Sequence, residues 1–315
     1  MLLCSPDRVI FKSGERGIYS DMNLQVLLMQ LLSGLSSGML IYLIAVGLSL
    51  IFGTLKVLNM AHGAIYMLGA YLCVWLTSSF EQIPGMFWWA VILGPFIVAL
   101  FGGLVEVVLL RRIYGWHFMY EFILTFGLIL IISDLVKILW GGGFHSITYP
   151  WPLNSTVKVA AGTFPLYNLF LVVVGVSIFF GLRALLRYTR LGKVIRGVTY
   201  NREIMSALGE NVPAVYTVVF MLGCWLGGLG GALATPLVAV TLGMDTTVII
   251  RCFIVVIIGG LGSLTGAFIG AIILGLLDAF GILVLPQLTI AFGFILMAVI
   301  LIVRPYGLMG RREYE

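Results

Sequence analysis

Long apolar segments, separated by short polar or glycine-rich breaks, run along almost the whole chain. A helix needs about 20 residues to cross the hydrocarbon core of a bilayer, and most of these segments reach that length. The first segment is long enough to be tilted or broken, and the segment 246–258 is short for a full crossing. We therefore expect eight or nine crossings with at least one partial helix. The predicted spans are 24–52, 64–80, 86–110, 120–140, 166–187, 214–240, 246–258, 265–285 and 287–303.

The composition indicates an all-α polytopic membrane protein. Of the 315 residues, 61% are hydrophobic and 10% are charged, whereas a soluble domain carries about 25% charged residues. The basic residues cluster at span ends, as the positive-inside rule predicts, so the net charge of +5 does not indicate nucleic-acid binding. The cysteines and histidines show no spacing typical of a metal or redox site. We therefore expect no cofactor on this chain and no nucleic-acid partner.

The longest polar stretch between two spans is residues 187–213. Within it, Glu203 and Ala207 lie four residues apart on one helical face, and Gly209 can end the helix. The stretch contains two acidic residues and five basic ones, which are Arg187, Arg190, Lys193, Arg196 and Arg202. A basic loop of this kind is retained in the cytoplasm during insertion. The sequence therefore predicts a cytoplasmic loop with a short helix.

The remaining loops can be placed relative to that basic loop. The basic tail 304–312 is expected on the same side, and so is the pair Arg111 and Arg112, which leaves the loop 141–165 outside. Nine crossings would place the N-terminus outside, whereas the basic residues of the N-terminal segment favour the inside. We expect a polar N-terminal extension at 1–22, a transmembrane permease domain at 23–312 and a short tail at 313–315.

Two polar or glycine-rich breaks interrupt apolar helices at corresponding places in the two halves, as an internal structural repeat would. The first break, residues 59–63, contains Asn59, Met60, Ala61, His62 and Gly63, and the second break, residues 259–263, contains Gly259, Gly260, Leu261, Gly262 and Ser263. Irregular backbone within a bilayer is tolerated only beside protein or a water-filled cavity, so the breaks predict the translocation pathway. For the first break a second interpretation stays open, in which Asn59 is a helix cap and His62 an interfacial side chain.

Ionisable residues inside apolar spans are costly in hydrocarbon and need a partner. Asp278 lies within a predicted span, and we expect it to bond internally between helices rather than to contact substrate. Glu106 lies five residues before Arg111 near a span end, where its carboxylate can reach the interface. The sequence shows no series of buried acids or histidines of the kind that proton pumps use.

Five segments in this order resemble the branched-chain amino acid ABC importer permeases of the LivH type. The resemblance covers residues 24–312. The segments are GLSLIFGTLKVLNMAHGAIYMLGAY (47–71), TFGLILIISDLVKILWG (125–141), RYTRLGKVIRGVTYNREIMSALG (187–209), VIIGGLGSLTGAFIGAIILGLLDAF (256–280) and RPYGLMG (304–310). Two departures from the family are Gly197, where alanine is usual, and Tyr200, where glutamine is usual.

The resemblance implies a type II-like importer permease that translocates branched-chain or other hydrophobic amino acids across the bacterial inner membrane. The expected partners are a second permease subunit of the LivM type, two ABC ATPase subunits that bind ATP and Mg²⁺, a periplasmic substrate-binding protein and membrane lipid. The segment 196–209 corresponds to the part that contacts the ATPase. The expected coupling residues are Arg196, Asn201, Arg202, Glu203, Ala207 and Gly209.

Two alternatives remain at the level of sequence. Related permeases with similar breaks could carry urea, short amides, aromatic acids or sugars. An ion-coupled secondary transporter is a different class, which the basic loop and the sparse intramembrane charge disfavour. The chain contains no phosphate-binding GxxxxGK[ST] loop, so ATP hydrolysis is expected on a partner and not on this chain.

Overall fold

A computed structural model describes residues 24–159 and 162–310 of the chain. The predicted N-terminal extension 1–22 and the tail 313–315 lie outside the described residues. The α-helices are α1 (Leu24–Leu55), α2 (His62–Ser79), α3 (Met86–Val108), α4 (Phe118–Trp140), α5 (Leu166–Tyr188), α6 (Arg190–Tyr200), α7 (Arg202–Ala207), α8 (Val212–Ala234), α9 (Met244–Gly259), α10 (Leu264–Val284) and α11 (Thr289–Val303). Short 3₁₀ turns cover Leu110–Arg112 and Pro286–Leu288, and the strands β1 (Thr156–Val159) and β2 (Gly162–Pro165) form an antiparallel hairpin.

The all-α polytopic fold is confirmed. Seven helical segments of the described chain are long and apolar enough to cross a membrane. The helices α2 and α9, with 18 and 16 residues, are the other two of the nine predicted spans. The first span is one continuous helix of 32 residues and is not broken. The span predicted at 214–240 is too long, because α8 ends at Ala234 and a chain of turns follows, in which Thr235 Oγ1 donates to the Ala232 carbonyl at 2.9 Å.

Helix α1 forms the centre of the bundle and packs against α5, α8, α9 and α10. It is buried along most of its length, whereas few residues of α4, α5 and α11 are fully buried, as on a surface facing lipid or another membrane subunit. Small residues let the backbones approach: a Cβ added at Gly34 would lie 2.9 Å from the carbonyl oxygen of Gly275. Close contact of this kind is the usual basis of helix association in a bilayer.

Hydrogen bonds to backbone carbonyls hold several loops together at one end of the bundle. Arg111 Nη2 donates to the Pro213 carbonyl at 3.5 Å, so the loop after α3 lies beside the segment that carries α6 and α7. The amides of Leu308 and Met309 donate to the carbonyls of Ile258 and Gly259 at 2.8 and 3.0 Å, so the tail lies on the second break. The positive-inside rule assigns this end to the cytoplasm.

Helix α1 runs antiparallel to α10, because Gly34 packs beside Gly275 while Gly53 packs beside Gly262. The Leu24 end of α1 therefore lies at the end opposite to α6 and α7. This is the side that nine crossings require for the start of the first span. The basic residues Arg8, Lys12 and Arg16, which favoured the other side, lie outside the described residues.

Candidate functional site: a cytoplasmic helix pair and two helix breaks

The basic segment folds into two helices that meet at Asn201. Helix α6 begins after Thr189, whose Oγ1 accepts a hydrogen bond from Gly192 N at 3.1 Å, and buries Ile195 and Val198. Asn201 lies in an extended conformation between the helices, and its Oδ1 accepts from the amides of Glu203 and Ile204 at 2.9 and 3.0 Å. An asparagine cap of this kind starts a new helix by satisfying its free amides.

Helix α7 is the short helix that the sequence predicts, and it spans only Arg202–Ala207. Gly209 follows two residues after the end of α7, and its φ of +86° places it in the left-handed region that glycine favours. Glu203 and Ala207 both lie on α7, as expected. Arg196 lies on α6 instead, where its Nη1 donates to the Leu186 carbonyl, so the coupling residues are divided between two helices.

Helix α7 folds back closely on α6 at Gly197. A Cβ added at Gly197 would lie 2.6 Å from the sulfur of Met205. The Met205 side chain therefore occupies the space that the methyl group of an alanine at position 197 would need. The departure at Gly197 therefore lets the two short helices pack against each other. The departure at Tyr200 has no packing consequence, because its side chain is 91% exposed.

The outer face of the helix pair carries exposed apolar side chains among charged ones. Tyr200, Ile204 and Leu208 are 91%, 55% and 72% exposed. Arg202 and Glu203 are exposed beside them. Apolar side chains rimmed by charged groups on an otherwise polar segment are typical of protein interaction surfaces.

A chain of contacts links α7 to the membrane helices. Arg202 at the start of α7 lies close to Tyr216 on α8, and both side chains line one cleft. The Tyr216 ring packs edge-on against Tyr114, with centroids 5.4 Å apart, and the Tyr114 hydroxyl donates to Glu106 at 3.1 Å. Burial, followed by the neighbouring Glu106 carboxylate, raises the pKa of Tyr114, so its phenol stays protonated as a donor.

Glu106 does not reach the interface, as its position near a span end suggested, because its carboxylate is fully buried. It forms an ion pair with Arg111 at 3.1 Å and accepts a hydrogen bond from Thr217 Oγ1 at 2.7 Å. A buried charge is tolerated when it is paired and its remaining lone pairs accept hydrogen bonds. The cluster joins the end of α3 to the first turns of α8, directly after α7.

The first break lies inside the protein. Asn59 and His62 are 1% and 0% exposed, so the interpretation of His62 as an interfacial side chain is wrong. Asn59 Oδ1 accepts from Ala61 N at 3.1 Å in the loop before α2, but α2 has no side-chain cap, because its N-cap residue is Ala61. His62 Nε2 lies 3.0 Å from the Ile44 carbonyl oxygen. Met60 is half-buried and Gly63 is buried at the start of α2.

Beside the first break lies a small cavity. It has a volume of about 10 Å³ and is lined by Asn59, Ala61, Ile65, Phe101, Gly102, Val105, Leu128, Ile132 and Phe220. This is roughly the space of one water molecule. Within the described part of the chain, Asn59 Nδ2 and His62 Nδ1 are buried without a hydrogen-bond partner. The break therefore combines unpaired polar atoms with a water-sized space in a closed conformation.

The second break joins α9 to α10 at the end of the bundle that carries α6 and α7. Gly260 and Gly262 adopt φ of +97° and +80°. Ser263 Oγ accepts from Gly266 N at 3.0 Å and caps α10. Gly259 packs directly on Gly266, where an added Cβ would lie 2.3 Å from a backbone carbon. Glycine is needed here for both conformation and space.

The structure does not bring the two breaks together. The second break contacts the last turns of α1, since a Cβ added at Gly53 would lie 3.0 Å from the Cα of Gly262. The first break lies at the other end of α9, since a Cβ at Gly63 would lie 2.4 Å from the Asp245 carbonyl oxygen, whereas the second break begins at Gly259, the last residue of α9. The coupling residues belong to the same end of the bundle as the second break but to a separate surface.

The intramembrane charge of Asp278 is paired, as expected. Its Oδ2 lies 3.3 Å from Arg251 Nη1, which joins α10 to α9. Across residues 24–159 and 162–310, no group of three or more histidine, cysteine, aspartate or glutamate side chains could hold a metal ion.

Sequence reasoning missed a cleft between α7 and the bundle. Its volume is about 450 Å³, and it is lined by Thr54, Leu55, Lys56, Gly115, Trp116, Phe118, Glu121, Val198, Thr199, Tyr200, Arg202 and Tyr216. The one available signal was an acid, Glu121, close to the start of an apolar span. Glu121 forms a cleft only together with residues that are far away along the chain, so no local sequence pattern could predict the cleft.

Comparison with known proteins identifies relatives along nearly the whole chain. BraD of Pseudomonas aeruginosa, a high-affinity branched-chain amino acid transport system permease protein, is 28% identical, with 91% of this chain and 97% of BraD covered. LivH of Escherichia coli, with the same description, is 24% identical over the same shares. A probable branched-chain amino acid transport permease protein LivH of Methanocaldococcus jannaschii is 26% identical, with 86% and 89% covered. No solved structure matches the chain.

Residues 30–304 match the family described as branched-chain amino acid transport system / permease component. This match spans all the helices from α1 to α11. The chain therefore belongs to that family, and it is a multi-pass membrane protein.

Proposed function

We propose that this family member is the membrane-spanning permease subunit of an ATP-driven importer that carries branched-chain or other hydrophobic amino acids across the bacterial inner membrane. The observation that carries the proposal is the family match over residues 30–304. The named relatives transport branched-chain amino acids, and their own lengths are covered at 97% in two cases. The capped, exposed helix pair at the cytoplasmic end supports the role of partner docking.

The partners that this function requires are a second permease subunit of the LivM type, two ABC ATPase subunits and a periplasmic substrate-binding protein. ATP and Mg²⁺ bind to the ATPases. The exposed apolar side chains of Tyr200, Ile204 and Leu208 provide the contact surface for one ATPase. The neighbouring charges of Arg202 and Glu203 orient that contact, since rim charges mainly set register and specificity.

Coupling follows from the contacts of α7. When the ATPase moves α7, Arg202 transmits the displacement to Tyr216, and the buried Glu106 cluster carries it to the end of α3. Packed, fully hydrogen-bonded groups move as a unit because separating them would leave buried charges unpaired. The short linker from Gly209 to α8 passes the same movement directly to the helix that packs on α1, α2 and α3.

The translocation pathway runs beside the two breaks. The unpaired polar atoms of Asn59 and His62, and the glycine contact between Gly53 and Gly262, mark a place where helices can separate without exposing a bulky apolar core. The pathway residues are Asn59, Met60, His62, Gly63, Gly259, Gly260, Gly262 and Ser263. Alternating access opens this region toward one side at a time, and the present conformation is closed there.

The test is uptake by proteoliposomes that contain both permease subunits, the ATPases and the binding protein. The substrates are branched-chain and other hydrophobic amino acids, urea, a short amide, an aromatic acid and a sugar, each with and without ATP. We expect ATP-dependent uptake of the hydrophobic amino acids only. Uptake of another class would refute the substrate assignment, and uptake by this chain alone on a proton or sodium gradient would refute the ABC mechanism.

A further inference from the structure

The cytoplasmic cleft, defined by the lining residues given above, contains the carboxylate of Glu121. The side chain of Glu121 is 8% exposed and lines the cleft. Among the described residues its carboxylate has neither an ion pair nor a side-chain hydrogen bond, and only its backbone carbonyl accepts a bond, from the Thr125 hydroxyl at 2.9 Å. Its place in the first turn of α4 favours the charged form, and its carboxylate oxygens remain open to a ligand in the cleft.

Other features of the cleft are those of a small-molecule site. Its volume of about 450 Å³ falls in the usual range of about 300–1,000 Å³ for ligand pockets. Trp116, Phe118 and Tyr216 supply aromatic walls, and Arg202 supplies a guanidinium group. A buried acceptor, a cationic donor and apolar walls together match a ligand that carries an ammonium group, a carboxylate and an apolar side chain.

The cleft also lies at the joint of the coupling segment. Its walls come from the end of α1, the start of α4, the last turn of α6, the first residue of α7 and Tyr216 of α8. Arg202 of α7 lies close to Tyr216 within the cleft. A ligand held between Glu121 and Arg202 would therefore tie α7 to the membrane helices.

We propose that this cleft binds a free amino acid from the cytoplasmic side, with the ammonium group on Glu121, the carboxylate on Arg202 and the side chain against the aromatic walls. The proposal rests on the proposed function for the choice of a hydrophobic amino acid. An occupied cleft restrains α7 and slows import. The accumulated product of transport would thus limit its own uptake.

The binding test uses the full chain alone in nanodiscs of phosphatidylcholine and phosphatidylglycerol, with radiolabelled leucine as the probe. We expect saturable binding that Glu121→Gln weakens at least tenfold, while the same change at the exposed outer residue, Glu81→Gln, leaves it unaltered. Isopentylamine and 4-methylpentanoate, which lack the carboxylate and the ammonium group, should compete less well than leucine. Equal leucine binding by Glu121→Gln and wild type, or no binding to wild type, would overturn the proposal.

A second measurement covers the case in which Glu121→Gln does not fold. In a Cys4→Ser background, Thr199→Cys places a thiol on the exposed wall of the cleft. Leucine should slow its reaction with a water-soluble maleimide at least threefold, and an unchanged rate would contradict the site. Phosphatidylethanolamine, whose headgroup also carries an ammonium group and an anion, is added to the nanodiscs to test whether the ligand is a lipid. Protection of the thiol by that lipid and not by leucine would contradict the proposed amino acid site.

The regulatory step is measured in the assembled transporter. Leucine added on the ATPase side should lower ATP-driven uptake of labelled valine, each variant being normalised to its own rate without leucine, and Glu121→Gln should abolish the effect. An inhibition that survives in Glu121→Gln would refute the regulatory role. If the assembled transporter carries no amino acid but leucine binding depends on Glu121, the proposed function is refuted and the binding site is supported. If uptake is normal but the chain does not bind leucine, the binding site is refuted and the proposed function is supported.

Discussion

Gly53 in the last turn of α1 lies so close to Gly262 in the second break that a Cβ on Gly53 would be 3.0 Å from the Gly262 Cα. This contact joins the two halves of the bundle at the cytoplasmic end. Three further α1 glycines, Gly34, Gly38 and Gly47, meet backbone atoms of α10 or α8 equally closely. Helix α1 can therefore slide or tilt against its neighbours over backbone rather than over interlocked side chains.

Replacing Gly53 by valine should push the end of α1 away from the second break. Overpacking of a tight contact costs about 1–3 kcal/mol, so we expect a lower midpoint of thermal unfolding and at least a tenfold loss of uptake. Gly181→Val is the matched control, because Gly181 is helical and an added Cβ meets nothing within 4 Å. Wild-type uptake by Gly53→Val would show that the contact has no part in transport.

Removing the Asn201 cap should loosen α7 without unfolding the membrane helices. The Asn201→Ala variant loses the acceptor for two amides, at a cost of about 1 kcal/mol of local helix stability. We expect fewer substrate molecules transported per ATP hydrolysed, measured in the same proteoliposomes. Asn201→Asp keeps the acceptor and should restore the ratio; if both variants behave alike, the cap is not what positions α7.

The Glu106 cluster should respond to loss of charge. Glu106→Gln removes the carboxylate that pairs with Arg111. Because the Arg111 side chain is 36% exposed, water compensates part of the lost interaction. We expect a net destabilisation of about 1–2 kcal/mol. We expect a lower unfolding midpoint together with weaker stimulation of ATP hydrolysis by substrate. Glu81→Gln provides the control. An unchanged midpoint would contradict the assignment of Glu106 as a structural link between α3 and α8.

Single cysteines test the pathway at the two breaks. Cysteines at Asn59, Ala61 or Ser263 should react with water-soluble thiol reagents at rates that change when ATP is added, because the closed cavity of about 10 Å³ must open during transport. Cysteine at Ile138, which is 79% exposed on the outer surface of α4, serves as the apolar control. Break positions that stay as unreactive as Ile138 in every nucleotide state would show that the breaks only serve packing.

The sequence allowed the helical order and most helix positions to be predicted, because each span is a long apolar run and each boundary has a local marker. Gly209, after the end of α7, is an example. The end of α8 was placed six residues too late, since the apolar run continues past Ala234 and only the tertiary turn at Thr235 interrupts it.

The site was less accessible to sequence reasoning than the fold. The basic segment forms two helices that meet at Asn201. Their arrangement depends on the close approach of Met205 to Gly197, which a hydropathy pattern cannot predict. The burial of Glu106 depends on Thr217, which lies 111 residues away. The cleft around Glu121 needs walls from five separate helices, so it exists only after the bundle has formed.

The most direct measurement of coupling compares ATP hydrolysis and uptake in one preparation when the docking face of α7 is changed. The Ala207→Arg variant, alone and together with Glu203→Lys, places bulky basic groups on the exposed side of α7 while leaving the buried contacts of α6 untouched. We predict normal insertion, continued ATP hydrolysis and a fall of at least tenfold in leucine transported per ATP. An unchanged ratio in both variants would contradict the role of α7 as the link between the ATPase and the permease.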